Sequence, residues 1–248
     1  MIRDANYWNN KWQQAPITYT GRALRGSTER IVCDVKGFMT VNDALLTEVI
    51  QDYQLSKHTH NATAQAIQQF VVRFLDYVGD EEASDCPEFW QFPFETLQSG
   101  IGDCEDGAIL AASLMIQAGI PAHRVKVCAG YVQESPTAPQ GGHAYCIYLA
   151  DRRWGAQDWV VMDWCYYQDP ETPPEYKPLA KEGGYNGNYH ELWFTFNNEF
   201  SWNQDGLEIE ARRISRSQSS TPLKEEKPVE MSLKSVMTKI KSKAKESL

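Results

Sequence analysis

The sequence predicts an α+β fold in which a helix packs against an antiparallel sheet. Three observations predict it. Ile67, Phe70, Val71, Phe74, Leu75 and Val78 recur at the spacing of one buried helix face. The run Ala108 to Ala118 is rich in helix formers and ends at Gly119, with Pro121 beyond it. After Pro121 the pattern changes to strand alternation, at Val125 to Ala129, His143 to Leu149 and Trp159 to Met162.

In chain order, residues 1–40 mix aromatic, polar and glycine residues without sustained periodicity, which reads as an extended N-terminal arm with one or two short strands. The main domain is expected over 41–213. From Asn42, taken as a cap, Leu45, Leu46, Val49, Ile50 and Tyr53 fall at helical spacing. The helix carrying Ile67 to Val78 should stop at Gly79. A turn-rich connection through Asp85, Pro87 and Pro93 leads to Gly100-Ile101-Gly102, and Asp103 then caps a helix that opens at Cys104. The Pro/Gly-rich segment Ser135 to Gly142 fits a long hairpin loop. Residues 168–190 read as an ordered loop over one end of the core, and Leu192 to Phe196 as a final strand.

Residues 214–230 have a linker composition of Ser, Lys, Glu and Pro. Residues 231–248 hold five Lys and one Glu, with Leu233, Val236, Met237, Ile240 and Ala244 on one helical face. That basic amphipathic tail fits a solvated end, a docking helix for a partner protein, or a membrane-surface helix.

Bulk properties narrow the function. Of 248 residues, 42% are hydrophobic and eight are Trp, enough for a sizeable core. A net charge of −9 argues against nucleic-acid binding, which needs clustered Lys and Arg. No apolar stretch is long enough for a transmembrane segment and no cleavable leader is evident, so a cytoplasmic location is expected. The six cysteines, Cys33, Cys86, Cys104, Cys128, Cys146 and Cys165, are scattered and should be free thiols, with Cys86 the one placed to pair or to restrict access near Cys104. No CxxC pair occurs, and the His58/His60 pair lacks a third ligand, so no metal site and no cofactor are expected. Calcium dependence stays open, because no EF-hand loop is present.

One constellation carries chemistry. A helix N-terminus favours negative charge and suits a thiolate at Cys104, although Glu105 and Asp106 oppose it electrostatically. His143 opens an alternating segment and so sits at a strand edge, where it can reach a helix end. Asp163 closes the apolar run Trp159 to Met162 on a neighbouring strand and can accept the second imidazole N–H. These are the parts of an activated-thiol site. The aromatics around Asp163, namely Trp154, Trp159, Trp164, Tyr166 and Tyr167, are expected mostly in the core, with a substrate groove as the lesser reading.

From about Thr63 to Tyr166 the chain resembles the transglutaminase-like superfamily. Gly102-Asp103-Cys104-Glu105-Asp106-Gly107-Ala108 with Gly119-Ile120-Pro121 resembles its nucleophile helix, Gly142-His143-Ala144 its histidine strand and Val161-Met162-Asp163 its aspartate strand. The upstream segments Phe74 to Val78 and Trp90 to Leu97 also match. The resemblance implies a papain-like transglutaminase core and thiol acyl transfer at peptide or carboxamide bonds through a Cys104-His143-Asp163 triad. Peptidase or amidase activity is expected ahead of cross-linking, on a protein or peptide substrate. The Cys104 N–H is one natural oxyanion donor, and by resemblance Gln91 or Trp90 supplies the second. The alternative is an assembly component, for example of a virus particle or phage tail, docked through the N-terminal arm and C-terminal tail.

Overall fold

In a computed structural model of the chain, residues 2–23, 30–84, 88–184, 187–204, 209–211 and 233–246 are described. Cys86 and the linker at 214–230 lie outside the described residues. The helices are α1 (Ala5–Asn10), α2 (Ala44–Asp52), α3 (His60–Phe74), α4 (Asp80–Ser84), α5 (Pro93–Ser99), α6 (Cys104–Gln117) and α7 (Leu233–Glu246). The strands are β1 (Gln13–Gln14), β2 (Ile17–Ala23), β3 (Arg30–Asp34), β4 (Asp76–Tyr77), β5 (Ile101–Gly102) and β6 (Val125–Val132). They continue with β7 (Gly141–Asp151), β8 (Gln157–Met162), β9 (Tyr189–Phe196), β10 (Ser201–Asn203) and β11 (Ile209–Ala211).

The main sheet has the order β1-β10-β9-β6-β7-β8, and every neighbouring pair in it is antiparallel. Side chains alternate across a strand, so the two faces of β6 and β7 feed two cores. Val125, Val127, Ala129, Ala144, Cys146 and Tyr148 face the core that includes α6, whereas Cys128, Tyr145, Ile147 and Leu149 join Trp8, Trp159 and Val161 on the opposite face. Helix α6 is buried at every residue from Cys104 to Met115. Beyond the acidic first turn, Ala108 to Met115 is apolar all round except for Ser113, as befits a central helix, and its small residues Ala108, Ala111 and Ala112 let neighbours approach closely.

The structure differs from the sequence expectation at several points: the N-terminal arm opens with the helix α1, and β9, expected as the final strand, is followed by β10 and β11. The cap of α2 is Asp43 rather than Asn42, its carboxylate taking the N–H groups of Leu45 and Leu46 at 2.8 and 3.1 Å. Asn42 instead takes the left-handed conformation at φ 63°, which Asn tolerates better than most residues. Helix α3 stops at Phe74, five residues before Gly79, because the chain leaves to pair β4 with β5: the Asp76 and Val78 N–H groups donate to the carbonyls of Gly100 and Gly102. Trp154 is fully exposed at the turn between β7 and β8, outside both cores, while Trp159 and Trp164 are buried.

Both chain ends pack on the domain. Ile17 and Tyr19 are fully buried, β1 pairs with β10, and Trp202 donates its indole N–H to the Asn9 carbonyl. Helix α7 buries Val236, Met237 and Ile240 against the main core. Its Lys241 pairs with Asp52, and Lys243 pairs with Asp76 and donates to the Gly100 carbonyl. The two segments on which a docking role was read are thus engaged within the chain. Among the described residues no helix is long and apolar enough to cross a membrane.

Candidate active site

Cys104 is the first residue of α6, reached through the β4–β5 pair that holds Gly102 opposite Tyr77. A Cβ on Gly102 would lie 2.7 Å from the Asp106 Cβ, so the approach to the helix requires glycine there. Gly107, one turn on, has the same role for Trp164: its absent side chain makes room for the indole, whose Nε1 donates to the Cys104 carbonyl at 3.1 Å.

The nucleophile helix and the histidine strand meet at the sulfur. The Ala144 N–H donates to Cys104 Sγ at 3.4 Å, and the thiol donates to Glu105 Oε2 at 3.2 Å. His143, the neighbour of Ala144, sets Nε2 2.7 Å from Asp163 Oδ2. Asp163 lies just past the end of β8 and is fully buried. Its Oδ1 receives the Cys165 N–H, its Oδ2 also receives the Tyr189 hydroxyl, and its carbonyl receives Gln68 Nε2. Burial pushes the Asp163 carboxyl up, but the His143 charge and these hydrogen bonds prevail and bring it down to about 2. Burial pushes the Cys104 thiol well up, and the Asp103 charge adds to that, against the opposing effect of the Ala144 N–H.

Beside the thiol is a feature that sequence reasoning missed. Asp80, Glu88 and Glu105 each place a carboxylate oxygen within 4.8 Å of the others, and Asp80, Asp103 and Asp106 do the same. All five residues are buried. Among the described residues no Lys or Arg forms an ion pair with Asp80, Asp103, Glu105 or Asp106. Asp103 Oδ1 and Glu105 Oε1 are buried without a hydrogen-bond partner. Burial, with the charge of Asp103, pushes Glu105 and Asp106 well up and Asp80 up to about 8. Oxygen atoms in this number, from carboxylates alone, suit a hard divalent cation such as calcium.

The upstream segment faces this cluster. Gln91 donates its backbone N–H to Asp106 Oδ1 at 2.7 Å and its side-chain amide to Asp106 Oδ2 at 2.6 Å and to the Ile101 carbonyl at 3.2 Å. Trp90 Nε1 donates to Glu88 Oε1 at 2.7 Å. The side-chain donors of both residues expected at the oxyanion are therefore turned to carboxylates and a carbonyl. Of the other candidates, His60 opens α3 and its Nδ1 meets Arg124 Nη1 at 2.9 Å, a cationic neighbour unsuited to a metal site. Cys33, Cys104, Cys128, Cys146 and Cys165 are free thiols.

A family model described as the transglutaminase-like superfamily matches residues 47–164. The comparison with solved structures finds LapG of Legionella pneumophila, 19% identical, at a TM-score of 0.45 over 65% of this chain and 77% of that one. The calcium-bound form of LapG from the same organism is 17% identical, at a TM-score of 0.45 over 79% of this chain and 97% of that one. No curated protein matches the chain.

Proposed function

Through residues 47–164 the chain belongs to the transglutaminase-like superfamily, and on that premise we propose that it is a cysteine hydrolase or acyltransferase that cleaves peptide or carboxamide bonds. The observation that carries this reading is the junction at the sulfur: the Ala144 N–H meets Cys104 Sγ while the adjacent His143 is fixed by Asp163.

Asp163, held ionised, accepts the His143 Nε2 proton, which leaves Nδ1 as the nitrogen that takes the thiol proton. The Cys104 sulfur then adds to the carbonyl carbon. The Cys104 N–H, in the first turn of α6, is the natural donor to the resulting oxyanion. Collapse to a thioester releases the amine, which leaves with the proton from His143, and water or a second amine resolves the thioester. A protein or peptide is the fitting substrate class.

The acidic cluster belongs to the same reading. Asp80, Glu88, Asp103, Glu105 and Asp106 would hold a divalent cation, which would supply partners for the two orphaned oxygens and offset negative charge that opposes the Cys104 thiolate.

The test is the iodoacetamide alkylation rate at each cysteine, read by mass spectrometry, in the wild type and in His143→Ala. Cys104 should outpace the half-buried Cys33 and Cys165 and lose that lead without His143. Equal rates at all three in both proteins would mark the site as dormant and sink the enzymatic reading.

A further inference from the structure

We propose that the chain has a second ligand site, for a carbohydrate, at the edge of the main sheet farthest from Cys104. A cavity of about 510 Å³ opens there between the segment before β1 and strands β9 and β10. Its volume falls within the roughly 300–1,000 Å³ of small-ligand pockets. The lining takes β9 only at Leu192 to Thr195, past the Tyr189 end whose hydroxyl reaches Asp163, and it includes no residue of the thiol site.

The walls combine two kinds of group. Trp12 and Trp193, both half-buried, supply indole surfaces, with Trp193 braced edge-on by Tyr131 at 4.7 Å between ring centroids, while Trp202 is fully buried. Between them lie the carboxamides of Gln13, Asn203 and Gln204 and the hydroxyl of Thr195. Thr195 is only 1% exposed, and its Oγ1 has no hydrogen-bond partner. A hydroxyl buried without a partner destabilises the fold, and one lining a cavity is satisfied when a polar ligand enters.

This lining selects among the ligands that tryptophans bind. Cationic ligands are disfavoured: the Lys126 ammonium already lies 4.0 Å from the Trp12 ring centroid and 3.5 Å from that of Trp202, and Lys11 lines the cavity. No carboxylate occurs among the described lining residues. A nucleotide would need several cations for its phosphates, and Lys11 is the one cation among those residues. A pyranose meets both requirements. Its C–H face packs on a flat ring, and its hydroxyls, each donor and acceptor, match carboxamides that also do both.

The experiment applies the full-length chain to an array of neutral and acidic oligosaccharides, and titrates any ligand found by tryptophan fluorescence. Binding is expected, weakened about tenfold or more in Trp193→Ala and about threefold in Gln204→Ala, whose exposed site carries no folding risk. Alkylation of Cys104 should be the same in all three proteins, which separates this site from the catalytic one. Lys11→Ala should weaken acidic ligands alone and so tells the two sugar classes apart. An array without a bound glycan, or binding that survives both Trp193→Ala and Gln204→Ala, overturns the proposal.

Discussion

Tyr189 and His143 donate to the same oxygen, Asp163 Oδ2. Two donors on one oxygen hold the carboxylate in a single orientation, and with it the plane of the imidazole. Tyr189→Phe removes one donor and keeps the ring among Tyr145, Tyr166 and Tyr167. The expected result is a kcat reduced about 5- to 30-fold with KM little changed, the loss of about 1–2 kcal/mol of positioning. Steady-state kinetics on a peptide substrate measures it. A kcat within about twofold of wild type would show that His143 is oriented without this hydroxyl.

The acidic cluster predicts a response to chelation. Buried like charges oppose the fold, and an ion that binds only the folded state stabilises it by about 2.7 kcal/mol at 100 times its dissociation constant. Calcium added to chelator-treated protein should therefore raise the Tm by several degrees. Asp80→Asn should abolish that rise while making the ion-free protein more stable, since it removes one of the crowded carboxylates. Differential scanning calorimetry with and without calcium decides it, and a Tm indifferent to calcium sinks the cation site.

What was legible in the sequence was local. The cap at Asp103, the small-residue helix behind Cys104 and the alternation leading into His143 and Asp163 each sit within one segment, so periodicity reveals them. The groups that complete the site come from elsewhere in the chain. Asp80 stands in the run Asp80-Glu81-Glu82, which by composition reads as a solvated face, and Tyr189 in a loop-like stretch rich in Gly and Asn. Nothing in their spacing announces a contact with residues 23 or more positions away. Gln91 was legible as a neighbour of the site but not in its direction, because the donors of an amide are aimed by partners that the sequence does not order in space.

Lys126 predicts a pH dependence of stability. It is 1% exposed, and burial, reinforced by the charge of Lys11, lowers its ammonium to about 7. The unfolded chain keeps its ordinary lysine value of about 10.4. Between these limits the unfolded state binds more protons, so this residue makes stability rise with pH from about 7 to about 10.4 and adds no slope below. The indole faces of Trp12, Trp159 and Trp202 offset part of the cost of burying the charge. Lys126→Met should thus gain about 1 kcal/mol at pH 6 and show a flatter profile at alkaline pH. Urea denaturation at pH 6 and pH 9.5 compares the two proteins, and parallel profiles would refute a neutral buried amine.

The C-terminal helix predicts a coupling between the chain end and the nucleophile loop. Ile240 is fully buried, and Lys243 on the next turn reaches Asp76, which begins β4, and the carbonyl of Gly100, which immediately precedes β5 on the way to Asp103 and Cys104. Burial of Ile240 anchors the helix, and the lysine ties the loop to it. Ile240→Ala should cost about 2–4 kcal/mol and lower the Tm accordingly. Lys243→Met keeps most of the apolar stem and removes the tie, so it should cost under about 1 kcal/mol while changing the alkylation rate of Cys104. A Tm unmoved by Ile240→Ala would mean that the helix does not dock on its own domain. Its lysine-rich surface would then be free for the partner-docking role that the sequence first suggested.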